Sequence, residues 1–553
     1  FFYGGIFYPY LLACFLLFSG SLYPICLAQH LAGCALAWTL YRLAGLGAGR
    51  EASASAVGLL AAGLALFYGP LAFLEADILM ISWALLAMMA GACLLLAGIG
   101  AHARGRVFGL LASAGVCLAV AASDRPNLLA LLPAAALWAA LISPRGVRVP
   151  RAGAVLAGGA AVLLVMVGLN RAASGRWVLT TTSAGINFYI GNHPGARGTF
   201  DEPWSASDTE FTARHTDLEH SSLVMASRRL GRDVDPVEAS GFWLQTGLDY
   251  LRSDPLRAAR LYLRKLLLFW SSAEVPNHLN FSFIRSQAPA LWLMPLGFWL
   301  VAPLGLYGLF APQARPFLSP EARWLLRILV FVPMLTVLPF FIADRYRIPV
   351  VPPLCLAAAC GFSSLVRGLR DPLGRRSACV GLACVALGGL AITRPLVEFD
   401  ISRDEWLMAQ AYRKAGDYRL AAQGYERAVA ASPDDAILRN NLGVVYGLAG
   451  DDDSAMAAYR KSIEMDGALT LPRRNLGLLL LKKGEALEAL EHLEKAEASD
   501  PDDIDVARAL AAIYQAAARP DEARTRALKV LAAKPDDLTA LGILRAQGEI
   551  RAP

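Results

Sequence analysis

Five short stretches of this sequence gather residues able to do acid–base or anion chemistry. Glu75 and Asp77 stand in "YGPLAFLEADILM", Asp124 and Arg125 in "AASDRPNLL", and Asp344, Arg345, Tyr346 and Arg347 in "FFIADRYRIPVVPPL". "GINFYIGNHPGARGTF" holds Asn187, Tyr189, Asn192, His193 and Arg197 among four glycines, and "FWSSAEVPNHLNFSFIR" holds Trp270, Glu274, Asn277, His278 and Arg285. A carboxylate such as Glu75 or Asp77 suits a general base or a hold on a hydroxyl group. Arginines give a fixed, bidentate grip on phosphate, which makes Arg345, Arg347 and Arg125 candidate phosphate ligands. Glycine lets a backbone approach a ligand closely. Amide, aromatic and charged side chains beside such a loop suit a polyhydroxylated substrate, with Asp124, Asn187, Tyr189, Asn192, His193, Arg197, Glu274, Asn277, His278 and Tyr346 as the candidates. Plainer readings fit the same residues: solvated loop acids, an ion pair fixing the turn at Pro126, a surface glycine loop, or arginines anchoring at lipid headgroups.

Motifs of soluble enzymes are missing. There is no GxxxxGK[ST] phosphate loop, no HExxH and no GxSxG. His215 and His220, with Glu219 between them, are spaced i, i+5 and fit one helical face poorly. A divalent metal is therefore not indicated, and no cofactor is expected. The nine cysteines fall in or beside apolar runs with no CxxC pair, which argues against a disulfide framework or zinc knuckle and reads as small apolar packing.

The elements that must position these residues are apolar. Of 553 residues, 56% are hydrophobic and only 18% charged, below the roughly 25% charged of an ordinary soluble chain. Runs long enough to cross a bilayer, about 20 residues each, fall near 11–30, 56–74, 78–99, 107–122, 127–142, 153–169, 288–310, 324–343, 348–366 and 377–393. The loops between them alternate in charge. One set carries Arg42 and Arg50, Arg104 and Arg106, Arg145, Arg148 and Arg151, Arg315, Arg323 and Arg327, and Arg367, Arg370, Arg375 and Arg376. The other set contains Glu75, Asp77, Asp124, Arg125 and the Asp344–Arg347 motif. Basic loops stay in the cytoplasm, so the second set faces outside, as does the long insertion 170–287. The net charge of +6 follows the membrane and implies no nucleic-acid partner. Within the insertion, "RWVLTTTSAGINFYIGN" reads as strand and turn, while 205–232 and 236–268 read as helices. The second ends in "LYLRKLLLFW", which lies along the membrane surface by its apolar face.

From Ser402 onward a 34-residue period appears. Tyr412, Tyr446, Leu480 and Tyr514 share one position; Gly416, Gly450, Gly484 and Ala518 another; Ala421, Ala455, Ala489 and Ala523 a third. Pro433, Gly467, Pro501 and Pro535 close the units. This resembles the tetratricopeptide repeat, two antiparallel helices per unit with small residues where the helices touch. Stacked units leave a concave groove suited to a protein or peptide partner, and 538–553 reads as a capping helix. The expected fold is mainly α: a polytopic membrane helical bundle over 1–169 and 288–395, an outer-face α/β insertion over 170–287, and an α-solenoid over 402–553.

Residues 1–395 also resemble the multi-span glycosyltransferases of the protein mannosyltransferase and aminoarabinose transferase type, with the GT-C fold. The carrying segments are "FFYGGIFYPYLLA", "GPLAFLEAD", "SDRPNLLALLP", "GINFYIGNHPGARG", "FWSSAEVPNHLNFSFIR" and "DRYRIPVVPPL". The resemblance implies transfer of a sugar from a polyprenyl-phosphate donor to an acceptor hydroxyl at the outer face of a bacterial inner membrane, with inversion. It places Glu75 at the family's second acidic position, Arg345 or Arg347 in the phosphate-contacting region, and the principal acid upstream of Phe1. Two other readings remain: a non-catalytic membrane scaffold recruiting envelope proteins through its repeats, and a polysaccharide ligase or polymerase. A ligase would concentrate its arginines in one large outer loop, whereas here the basic pair lies in a short junction.

Overall fold

Small residues set the closest helix contacts in the N-terminal part of the chain. A Cβ on Gly115 would lie 2.0 Å from the Val155 carbonyl oxygen, and one on Gly158 would lie 1.9 Å from that of Ala112. Only glycine lets these two backbones meet, the device by which apolar helices pack without large side chains.

The computed structural model describes residues 12–549 except 14, 18–20, 22, 50–53, 77–79, 201–217, 277–279 and 398–400. Asp77, His215, Asn277 and His278 lie outside the described residues. The chain divides into two units, Phe1–Glu398 and Phe399–Pro553.

The first unit contains α1 (Tyr23–Leu46), α2 (Ala54–Leu66), α3 (Gly69–Ala76), α4 (Ile81–Gly100), α5 (Arg104–Asp124), α6 (Leu131–Leu141) and α7 (Arg148–Ser174). The insertion follows with α8 (Ala184–Gly191), α9 (Leu218–Leu230), α10 (Pro236–Ser253) and α11 (Pro255–Trp270). Then come α12 (Phe281–Gln287), α13 (Phe298–Phe310), α14 (Pro320–Val337), the single turn α15 (Asp344–Arg347), α16 (Val351–Arg370) and α17 (Arg375–Ile392). Leu36, Leu85, Leu111, Val301, Leu329 and Leu354 contribute to one continuous apolar core. Among the described residues, five helical segments are long and apolar enough to cross a membrane: Ile81–Gly100, Arg104–Asp124, Arg145–Ser174, Asp344–Arg370 and Arg375–Ile392.

Several sequence expectations need correction. The run expected over 11–30 is not one helix: the described residues 12, 13 and 15–17 are helical, Ser21 is a bend, and Tyr23–Leu46 follows and extends past Arg42. The Arg42 guanidinium lies 5.5 Å from the Trp38 ring, so its long stem lets the helix continue through a charge. The run 288–310 is broken into a 3₁₀ turn, Pro289–Leu293, and α13, because Pro289, Pro295 and Gly297 interrupt it. The helix expected over 236–268 is two helices. Pro255 ends the first, and the Asp254 side chain caps the second by accepting from Arg257 N–H.

The expected α/β insertion is helical. Among the described residues there are no strands, only isolated bridges between Ala48 and Leu318 and between Tyr68 and Leu296. The β-branched run Thr180–Thr182 has no strand to pair with, and Ala184–Gly191 folds into α8.

The second unit stacks helix pairs: α18 (Ser402–Lys414) with α19 (Tyr418–Ala431), α20 (Ala436–Ala449) with α21 (Asp452–Met465), α22 (Thr470–Lys483) with α23 (Ala486–Ser499), α24 (Ile504–Ala516) with α25 (Pro520–Ala533), closed by α26 (Leu538–Ala546). Ala421, Ala455, Ala489 and Ala523 are all fully buried. Gly416, Gly450 and Gly484 take φ of 81°, 85° and 85°, and Ala518 takes 54° at the fourth equivalent position. Aspartates cap successive helices: Asp417, Asp435, Asp451, Asp503 and Asp537 accept from backbone N–H groups of the first turn.

Candidate functional site

The end of α5, the start of α8 and the segment joining α14 to α15 converge on a cavity of about 1000 Å³. Asp124, Arg125, Asn187, Arg345 and Tyr346 line it, so five of the sequence candidates share one site although they come from chain positions far apart. The rest of the lining is mostly apolar and includes Leu132, Leu163, Leu335 and Phe340. Thr180, Thr181, Ser183 and Asn127 also face it. Sequence reasoning missed these four, although Asn127 adjoins the "SDRP" motif and the threonines precede the glycine loop.

Pro126 opens the 3₁₀ turn Pro126–Leu128 directly after α5, which fixes Asp124 and Arg125 at a helix end. Both are buried. Arg125 and Arg345 stand on the same aromatic ring, with guanidinium carbons 5.9 Å and 4.9 Å from the Tyr346 centroid. Arg345 Nη2 also donates to the Tyr346 hydroxyl at 3.0 Å. Burial, and then the neighbouring Arg345, pull the Arg125 guanidinium down to about 10, which leaves it charged at neutral pH. Two cations around one ring, one of them buried, make an anion-accepting wall beside an apolar chamber.

Arg347 is placed differently. It ends α15, is buried, and donates to the carbonyls of Phe269, Ser271 and Ala273 and, at 2.5 Å, to Glu274 Oε2. Its guanidinium carbon sits 4.1 Å from the Phe298 ring centroid, and the Tyr68 hydroxyl donates to Glu274 Oε1 at 3.3 Å. The expectation that Arg347 and Glu274 contact substrate is corrected accordingly. Their polar atoms tie the end of α11 to α15.

The glycine loop also divides. Asn187 reaches the cavity. Tyr189 packs on Trp243 at 4.8 Å within a core that the insertion shares with Phe341 and Ala343. The Asn192 amide donates to the carbonyls of Phe188 and Pro339, both at 2.7 Å, and its oxygen accepts from Lys265 Nζ at 3.0 Å. His193 Nδ1 accepts from Gly195 N–H at 3.1 Å, while Arg197 is exposed. These four hold or flank the loop and do not line the cavity.

Glu75 lies near the end of α3 and is not among the cavity's lining residues. Its Oε2 is 3.3 Å from His30 Nδ1, and Gln29 Nε2 donates to its carbonyl at 2.8 Å. Burial pushes the Glu75 carboxyl up to about 8. Among the described residues, no group of three or more His, Cys, Asp or Glu side chains is placed to hold a metal ion.

In the second unit, the first helices of each pair present equivalent positions 34 residues apart. Trp406, Asn440, Arg474 and Arg508 share one of them. Asn475 Nδ2 donates to Asn440 Oδ1 at 3.1 Å. Arg474 is 2.5 Å from Asp503 and 2.9 Å from Asp505, and Arg508 is 2.7 Å from Asp537. Ile437, Leu448 and Leu471 on α20 and α22 are exposed.

Residues 407–468 and 480–548 match the tetratricopeptide repeat family, and the second unit is a tetratricopeptide repeat domain. Among curated proteins, the photosystem I assembly protein Ycf3 of Prochlorococcus marinus is 32% identical over 82 residues. The match covers 14% of this chain and 47% of that protein, so the chain spans about half the length of this relative. Among solved structures, the chain is similar to MamA from Desulfovibrio magneticus RS-1, at 16% identity over 28% of this chain and 89% of the other, with a TM-score of 0.26. It is also similar to YrrB, described as a tetratricopeptide repeat protein with an unusual peptide-binding site, at 17% identity over 33% and 89% with a TM-score of 0.24.

Proposed function

We propose that this is a multi-span membrane protein whose repeat domain docks a protein or peptide segment. The observation that carries this reading is the exposure of Ile437, Leu448 and Leu471 on the first-helix faces of successive repeats. Arg474 and Arg508 are tied to Asp503, Asp505 and Asp537, so the charges nearby are already matched. A segment with apolar side chains suits that face better than a strongly acidic one. The test is a photo-crosslinking residue at Leu471, compared with one at Leu487, which is exposed on a second helix. Both are placed in the full chain. Adducts to one discrete protein from Leu471 alone are expected, and equal labelling from both positions would sink the reading.

A second reading concerns the first unit: sugar transfer from a polyprenyl-phosphate donor at the outer face of a bacterial inner membrane. The cavity supports it, because Arg125 and Arg345 stand together beside an apolar chamber that would accept a lipid-linked phosphate. In this reading Asp124, the carboxylate that lines the cavity, takes the acceptor hydroxyl proton. The acceptor oxygen attacks the anomeric carbon and polyprenyl phosphate leaves. The leaving group is already an anion, so charge stabilisation by arginine serves it better than protonation. Transfer from a polyprenyl-phosphate sugar should fall at least a hundred-fold in Arg125→Ala and in Arg345→Ala. Wild-type turnover in both would remove the enzyme reading and leave the docking one.

A further inference from the structure

Helix α11 buries one side and leaves a leucine stripe exposed on the other. Leu261, Lys265, Leu268 and Phe269 are buried, whereas Leu256, Leu263 and Leu267 are 63%, 58% and 52% exposed. At about 100° per residue, those three leucines fall within roughly 40° of one another. Arg257, Arg260 and Arg264, also exposed, run along one flank of that stripe. Among the described residues none of the three arginines forms an ion pair. Arg257 and Arg264 donate to the carbonyls of Pro194 and Leu396. The acids that precede them in the sequence are engaged elsewhere: Asp254 caps α11, and Asp249 pairs with Arg252.

The depth of this face is fixed by a second observation. Ser272 N–H, two residues past the end of α11, donates to the Ile392 carbonyl at 2.8 Å, and Ile392 ends α17. Helix α17 is long and apolar enough to cross a membrane, and its opposite end carries Arg375 and Arg376. Basic residues at that end assign it to the cytoplasm, so α11 meets the outer end of α17. An exposed leucine stripe there, with a row of arginines beside it that form no ion pair among the described residues, has the make-up of a helix lying in the headgroup region.

We infer that α11 is a binding site for anionic phospholipid, with the leucines inserted among acyl chains and Arg257, Arg260 and Arg264 donating to headgroup phosphates. The inference rests on the membrane reading above. Arginines on the outer side serve no topological purpose, and an anionic headgroup satisfies them while the leucines leave water.

The test uses full-length protein in nanodiscs of phosphatidylcholine with graded phosphatidylglycerol, with retained lipids counted by native mass spectrometry. Wild type should retain phosphatidylglycerol in preference to phosphatidylcholine, and the preference should weaken with salt. Removing charge in Arg257→Gln, Arg260→Gln and Arg264→Gln should cost about five-fold in preference per arginine. The three Arg→Lys replacements should keep most of it. An unchanged preference in the glutamine variant overturns the proposal, as does a change in oligomeric state without a change in lipid preference. Carbonate extraction of wild type from membranes tests the underlying reading separately. A carbonate-soluble protein would refute the membrane assignment, whereas an integral protein with no lipid preference would refute this site alone.

Discussion

The Arg347 guanidinium lies 2.5 Å from Glu274 Oε2, and neither side chain is more than 6% exposed. Together with three backbone carbonyls, this contact joins α15 to the turn after α11. A buried pair of this kind contributes little over an apolar replacement, but breaking it strands a charge, which costs about 3–5 kcal/mol. Arg347→Ala and Glu274→Gln should therefore lower the thermal midpoint of the purified protein by many degrees. Arg347→Lys should fare little better, because an ammonium cannot reproduce the planar fork that reaches Glu274 and the carbonyls. Arg345→Ala should leave the midpoint nearly unchanged. Equal destabilisation by Arg345→Ala and Arg347→Ala would contradict the different places described for the two arginines.

Lys265 gives a pH-dependent prediction with a fixed sign. It is fully buried, donates to Asn192, and lies 4.6 Å from the Tyr262 ring centroid. Burial pulls its ammonium down to about 7. Between pH 7 and 10.5 the unfolded chain then holds a proton that the folded chain has released, so stability rises with pH across that window. The slope is at most about 1.4 kcal/mol per pH unit. In Lys265→Met this component should disappear, leaving a flatter dependence of thermal midpoint on pH from about 7 to about 10. An unchanged slope would show that Lys265 stays charged.

The repeat domain was the most legible part of the sequence, because a 34-residue period states helix pairing, turn positions and small-residue contacts four times over. The bundle was legible as apolar runs but not in its boundaries. Hydropathy does not register that Arg42 can sit inside a helix beside Trp38, or that Pro289 and Gly297 break an otherwise continuous run. The cavity was legible in part. Asp124, Arg125 and Arg345 stand out in the sequence as charges beside long apolar runs, and the fold brings them together. Arg345 and Arg347 are two residues apart on one helical turn, so they point about 200° apart, and nothing local says which faces the cavity. Tyr189 and Asn192 read as ligand-like because aromatic and amide groups beside glycines suit sugars. Tyr189 instead packs against Trp243, while Asn192 bonds two backbone carbonyls and Lys265.

Glu75 has a steric dependence on Gly33. A Cβ added to Gly33 would lie 2.2 Å from Glu75 Oε1 and 2.6 Å from its carboxyl carbon. Gly33→Ala should push the carboxyl out of its place beside His30. With its carboxyl at about 8 against an ordinary 4.5, Glu75 makes the folded chain hold a proton that the unfolded chain loses. Stability should therefore fall as pH rises from 4.5 to 8, by up to about 1.4 kcal/mol per unit. Glu75→Gln should abolish that fall, and Gly33→Ala should reduce it by moving the carboxyl toward water. Thermal midpoints of the three proteins between about pH 5 and pH 8 check this, and parallel curves would refute it.

Ala518 is the one described non-glycine residue with positive φ, at 54°, and it occupies the position where Gly416, Gly450 and Gly484 stand in the preceding repeats. An alanine there costs roughly 1–2 kcal/mol for the left-handed conformation. Glycine would relieve that strain but add about 0.4–1 kcal/mol of unfolded-chain entropy. Ala518→Gly should therefore stabilise the α24–α25 turn by about 0.5–1 kcal/mol, while Gly450→Ala should destabilise the α20–α21 turn by a similar amount. Hydrogen exchange on the full-length protein reads both. Amides at the start of α25 should exchange about three-fold more slowly in Ala518→Gly, and those at the start of α21 about three-fold faster in Gly450→Ala. Exchange that moves the opposite way at α25 would show that the fourth turn has adapted to its alanine by a contact that the three glycine turns do not make.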